Sequence, residues 1–220
     1  FEPEWDIVSI YIYLVCWLIV NHAAEGLVRR ARRLEALLVI IAGVLVGRLL
    51  VTNQTFVADE LIALVLLMPL LVLMHRLTPR VRLRALLIGL IAVLIIEGLA
   101  PFDFTRPSSS FDFWPFRIWF EPIEDPTNAV DWSGLLGRLF LSTALLWLLR
   151  EARVPINAAI AIVVGTALAI EVLQLWLPHQ SGSITDPVLA LAIGLLVRAL
   201  DRARARRLSG DLIVPPARNR

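Results

Sequence analysis

In a run that is otherwise aliphatic, Glu171 is followed one helical turn later by Gln174. Past the short polar stretch PHQSGSIT comes Asp186. Two carboxyls and a carboxamide at this spacing are suited to moving a proton or orienting a charged ligand, because the amide both donates and accepts. A helix places residues 171 and 174 on the same face. Ser183 or Thr185 can cap the helix that follows, with Asp186 in its first turn near the positive end of the dipole. If Leu177 marks the end of the apolar run, Glu171 lies roughly 9 Å beneath it at a rise of about 1.5 Å per residue. Glu97, one turn before Pro101, and Arg138, five residues after Ser133, reach a similar depth on two other apolar runs. An ionisable side chain at that depth must be paired, protonated or reached by water.

These residues together read as a polar cleft. Glu171 and Asp186 are its acid–base candidates, and Gln174, Arg138, Glu97, Gln180 and Ser183 are its ligand-binding candidates. Arg138 is expected within salt-bridge reach of Glu171 or Glu97, and Gln174 is expected to donate to a carboxylate. The competing reading is a clamp of hydrogen bonds between transmembrane helices, which needs no ligand at all.

The elements that must position these groups follow from composition. The chain has 220 residues, of which 58% are hydrophobic and only 18% charged, and its mean hydropathy is +0.76. A soluble domain of this size carries more charge and shorter apolar runs. The fold class is therefore all-α, a polytopic transmembrane helical bundle of about seven spans with one long aromatic-rich outer loop. The spans are expected at 7–23, 34–51, 61–74 (beginning near Phe56), 83–100, 133–149, 156–177 and 186–200. The last is short against the ~20 residues that cross a bilayer, and Arg198 can snorkel to help it. Residues 1–207 are read as one membrane domain and 208–220 as a mobile cytoplasmic tail.

Arginine placement gives the orientation. Clusters follow the first, third, fifth and seventh runs: Arg29 to Arg33, Arg76 to Arg84, Arg150 and Arg153, and Arg198 to Arg207. With seven crossings these share one side, which the positive-inside rule makes cytoplasmic, leaving the N-terminus outside. The stretch 101–132 falls on the outer side and carries Trp114, Phe116, Trp119 and Phe120 among several prolines. It reads as an interfacial aromatic belt, or more sharply as a roof over a site open to the outer leaflet. Arg48, Asp59 and Glu60 lie near outer ends and read as surface residues able to reach headgroups.

The same inventory excludes several chemistries. The basic residues sit in clusters between apolar runs, which argues against a nucleic-acid face. Cys16 is the single cysteine, so no intrachain disulfide or cysteine metal cluster exists. His22, His75 and His179 have no metal-ligand spacing, and no metal or cofactor is expected. The first apolar run lacks a cleavage signature, which argues against a signal peptide.

With Glu171, Gln174, HQSGSITD and the late Gly194 on the page, the chain resembles the VanZ-like family of bacterial membrane proteins. That family's signature is a glutamate in a membrane helix and a glutamine three residues on. A glycine- or serine-containing loop with an arginine follows, then an aspartate opening a final helix that carries an asparagine and a glycine. APFDF at 100–104 and WPF at 114–116 also look like its outer segment, so the resemblance covers mainly 97–200. Two positions depart from it: Gln180 stands where the arginine is expected, and Ala190 where the asparagine is expected. The resemblance implies a role in the bacterial cell envelope and does not imply antibiotic resistance for this member. Its expected partners are membrane lipids, among them a lipid-linked envelope precursor, at the bacterial inner membrane. Two functions stay open: binding or modifying an envelope lipid or lipid-linked glycan at the outer leaflet, or a non-catalytic structural or assembly role.

Overall fold

The computed structural model describes residues 6–27, 58–104, 111–116, 132–178 and 182–210. The expected span at 34–51, with Arg48, lies outside them, as do Trp119, Phe120, His179 and Gln180. The described residues form six helices and no strand: α1 (Ile7–Leu27), α2 (Ala58–Arg76), α3 (Pro79–Leu99), α4 (Trp132–Glu151), α5 (Ile156–Gln174) and α6 (Thr185–Gly210). Three of them contain segments long and apolar enough to cross a membrane, Ile7–Glu25, Ala58–Arg76 and Ile156–Gln174. This is a helical membrane protein.

The helix ends follow local chemistry. Asp6 caps α1, its carboxylate accepting from the Val8 N–H at 3.0 Å and from the Ser9 hydroxyl at 2.7 Å. Pro79 opens α3, where the missing N–H costs nothing. At the end of α4 the Val154 N–H reaches Leu149 O and the Arg153 N–H reaches Arg150 O, both at 3.0 Å, with Arg153 at φ 64°. This closes the last carbonyls in the manner usually given to glycine, and Pro155 then bars continuation. α5 stops at Gln174, short of the expected 177, and its last turn tightens through bonds such as Leu177 N–H to Gln174 O at 2.9 Å. Pro178 lies just beyond and disfavours helix in the residue before it. α6 runs on past the expected 200 to Gly210. The apolar stretch ends there, but the arginine- and alanine-rich sequence that follows is a good helix former.

The chain divides into two compact units, Phe1–Glu97 and Gly98–Arg220. In the first, α1 packs on α2 through Trp17, Leu18, Ile19, Leu67 and Leu71, all buried. It also meets α3, where the Tyr11 hydroxyl donates to Gly89 O at 3.2 Å. Asp59 and Glu60, expected at the surface, are buried at 8% and 3% exposure. They occupy the first turn of α2, where the helix dipole favours negative charge, so burial there costs less than it would in mid-helix.

In the second unit α5 lies between α4 and α6 in sequence and packs on both. Gly194 of α6 sits so close to α5 that a Cβ would lie 2.7 Å from Ile160 Cγ1. Small residues permit such approach where no hydrophobic effect drives helices together. Two ion pairs fix the direction of α4 relative to α6: Arg138 with Asp186 at 3.1 Å near one end, and Arg150 with Asp201 at 3.2 Å near the other. The helices are therefore parallel. Many of their outward residues are apolar, among them Leu136 at 63% and Leu196 at 61% exposure. That is the pattern of a surface solvated by hydrocarbon rather than water.

Candidate functional site

Four helix ends meet in the second unit: the close of α3, the start of α4, the close of α5 and the start of α6. Gln174 on α5 donates to Gly98 O at 2.9 Å. It therefore ties α5 to the α3 terminus instead of donating to a carboxylate. A Cβ on Gly98 would run into Ile170 of α5, so the glycine permits this approach.

Glu171 is buried at 3% exposure, and one oxygen accepts the Ser183 N–H at 2.6 Å. That bond is short and charge-assisted in character. Gly182, the preceding residue, is pressed against the backbone carbonyl of Glu171, with Phe111 and Leu175 on its other sides. Ser183 Oγ accepts the Thr185 N–H at 3.1 Å, which caps α6 and sets Asp186 in its first turn. The polar loop thus folds back onto the end of α5.

From there Asp186 reaches two neighbours. Its carboxyl lies close enough to Glu171 to interact with it. Both its oxygens also accept from Arg138 Nη1, at 3.2 and 3.1 Å. The carboxylate that Arg138 meets is therefore Asp186, where Glu171 or Glu97 was expected, although its charge also acts on Glu171. Arg138 is 57% exposed at its side chain and Asp186 23%. The cluster therefore grades from a buried carboxyl, through a half-buried one, to an exposed guanidinium. The site is a pair of neighbouring carboxyls with a cation at its rim.

Residues 111–116 touch the same rim. Asp112 forms a β-bridge with Ser183, its N–H donating to Gly182 O at 2.9 Å and its carbonyl accepting the Ile184 N–H at 3.0 Å. The Phe116 N–H donates to Thr185 Oγ1 at 3.1 Å. Phe113 and Trp114 are exposed at 77% and 68%. Residues 111–116 therefore lie directly against the loop that holds Glu171.

Of the sequence candidates, Glu171, Asp186, Arg138 and Ser183 are brought together, with Gln174 one turn away. Glu97 is exposed in the last turn of α3 and belongs to the first unit. Gln180 lies outside the described residues. No group of three or more potential metal ligands occurs among the described residues.

The first unit holds a polar cluster that sequence reasoning missed. Glu25 is nearly buried and meets His75 Nε2 and Arg82 Nη1, each at 3.0 Å. Asn21 donates to it at 3.4 Å, and His75 Nδ1 lies 2.7 Å from Leu71 O. The three residues come from three helices, with Glu25 far from the other two in the chain, so no spacing signals them. A charged residue at the last turn of an apolar run was the available hint.

Comparison with known proteins finds no matching family model, no matching curated protein and no matching solved structure.

Proposed function

We propose that this chain is a multi-pass protein of the bacterial inner membrane that binds the anionic headgroup of an envelope lipid or lipid-linked glycan at its outer face. The observation that carries this reading is the graded triad: buried Glu171, half-buried Asp186 and exposed Arg138 in continuous contact. An exposed guanidinium at a membrane interface is suited to phosphate, because its planar donors match the oxygens. The carboxyl pair behind it can hand a proton to, or take one from, a group held there. The resemblance to the VanZ-like family supports an envelope setting, and the contact of residues 111–116 with the loop supports a roofed rim.

Seven crossings with an outer N-terminus and cytoplasmic tail complete the proposal. In its favour, α4 and α6 are parallel, as two crossings separated by a third must be. Glu25 and His75 also bring the ends of α1 and α2 together, as one further crossing between those helices requires. Cysteine labelling at positions 109 and 209 in a Cys16→Ser background tests this: labelling of both from the same side refutes the topology.

The lipid reading is tested by mass spectrometry of lipids co-purified with the wild-type chain, Arg138→Gln and Glu171→Gln. Loss of one lipid class in both variants, with the fold retained, is the expected result. The second reading, a structural clamp, is favoured by the short Ser183–Glu171 bond and the tight seat of Gly182. An unchanged lipid complement with early melting of Glu171→Gln would establish the clamp instead.

A further inference from the structure

A second basic site lies at the other end of the second unit, and the triad does not involve it. A recess of about 320 Å³ opens between the close of α4, the start of α5 and the far part of α6. Arg150, Ile156, Asn157, Arg198, Asp201 and Arg202 line it, which leaves a net positive charge of two. We infer that this recess binds a phosphate group.

The argument starts from how its charges are arranged. Arg150 is already engaged, donating from Nη2 to Asp201 at 3.2 Å and from Nη1 to Val154 O at 3.2 Å. These bonds neutralise Asp201 and hold the floor of the recess. Arg198 and Arg202 have no ion-pair partner among the described residues. They stand one helical turn apart on α6, where like charges repel, so an anion between them relieves that repulsion. Opposite them α5 begins at Ile156 after Pro155, which supplies no side-chain cap among the described residues. The first N–H groups of this 19-residue helix therefore add donors on the third wall. The guanidiniums of Arg198 and Arg202 and the first N–H groups of α5 around a concavity fit a tetrahedral oxyanion better than a planar carboxylate, since each can take a different oxygen.

A phosphate group can come from an anionic phospholipid or from solution. Leu195, Leu196 and Leu200 are exposed on the neighbouring turns of α6 and offer a path for acyl chains. Basic pockets between transmembrane helices on the cytoplasmic side commonly hold such headgroups.

The experiment titrates the detergent-solubilised full chain with phosphatidylglycerol and, separately, with inorganic phosphate, reading bound ligand by native mass spectrometry. Arg198→Gln/Arg202→Gln is compared with Arg204→Gln/Arg206→Gln, which removes the same charge from the same helix outside the recess. The recess variant should bind at least about tenfold more weakly, through the loss of two charge-assisted contacts. The control pair should stay near wild type, and the same loss should appear when both pairs are compared in an Arg138→Gln background, where the outer site does not contribute. Because removing Arg198 and Arg202 relieves repulsion, the variant should fold, and an unshifted melting curve checks that. Saturation by phosphatidylglycerol alone assigns the site to lipid, and saturation by inorganic phosphate assigns it to a soluble anion. Equal losses in the two double variants, or binding of neither probe, overturns the inference.

Discussion

Replacing Glu171 separates its hydrogen-bonding role from its proton. In Glu171→Gln the amide oxygen can still accept the Ser183 N–H, now made at 2.6 Å, and the amide nitrogen can donate to Asp186. Both contacts survive in kind, so the expected loss of stability is under about 1 kcal/mol. In Glu171→Ala the Ser183 N–H has no side-chain acceptor, at a cost of about 1–3 kcal/mol. One methylene group, Cγ, also leaves a buried position with the carboxyl, adding roughly 0.8 kcal/mol. The expected total for alanine is about 2–4 kcal/mol, several times that for glutamine. Thermal unfolding of the two variants in the same detergent, followed by near-ultraviolet circular dichroism, measures the difference. Glutamine should melt near wild type while failing to exchange a proton with a bound headgroup. If the glutamine variant melts as early as the alanine variant, the amide cannot occupy this geometry. The carboxyl would then serve as a clamp, and the reasoning fails.

Gly182→Ala should destabilise by about 1–3 kcal/mol, because the new methyl meets the Glu171 carbonyl and cannot displace helix backbone; a melting curve matching wild type would show that the loop can retreat. Asp6 gives a pH test outside the spans. The Ser9 hydroxyl first, then the Val8 N–H, hold its carboxyl below the ordinary value of 3.8. A carboxyl lowered in the folded state contributes stability above its unfolded pKa and loses it as pH falls through the folded value. The first turn of α1 should therefore loosen only below pH 3.8. Carbonyl NMR of Asp6 checks this, and an apparent pKa at or above 3.8 refutes the cap.

How much of this was legible in the sequence depends on the range of the interaction. Apolar runs locate each described helix, since a helix that faces lipid must be apolar along its length. That Glu171, Asp186 and Arg138 stand at neighbouring helix ends was also readable, because rise per residue is fixed; Glu97, read with them, belongs to the first unit. Which carboxylate Arg138 takes was not. Asp186 is carried to it by the Ser183 and Thr185 bonds that fold the loop back, and that geometry is tertiary. Gln174 was likewise assigned to a carboxylate because the approach of Gly98 cannot be read from composition. Asp59 and Glu60 were read as surface residues from their place at a helix start. That place puts them in reach of solvent or of a neighbouring helix alike, and packing decides which. The Glu25 cluster needs three helices to be docked before it exists.

Glu25, nearly buried, and Glu171, buried, sit in opposite environments, and that contrast bears on which of them holds chemistry. Glu25 meets two basic side chains and an amide, all donors directed at its oxygens. Such a cluster loses stability when any one partner is removed. It ties three helices together. Glu171 instead faces one backbone N–H and another carboxyl, with the guanidinium one residue further out. Its charge is only partly compensated, and that imbalance is poor design for a clamp. It is the arrangement that the proposed function needs, a carboxyl pair beside a rim that an anion can enter. For this reason the reading of Glu171 as functional outranks the same reading of Glu25, although both lie at helix ends.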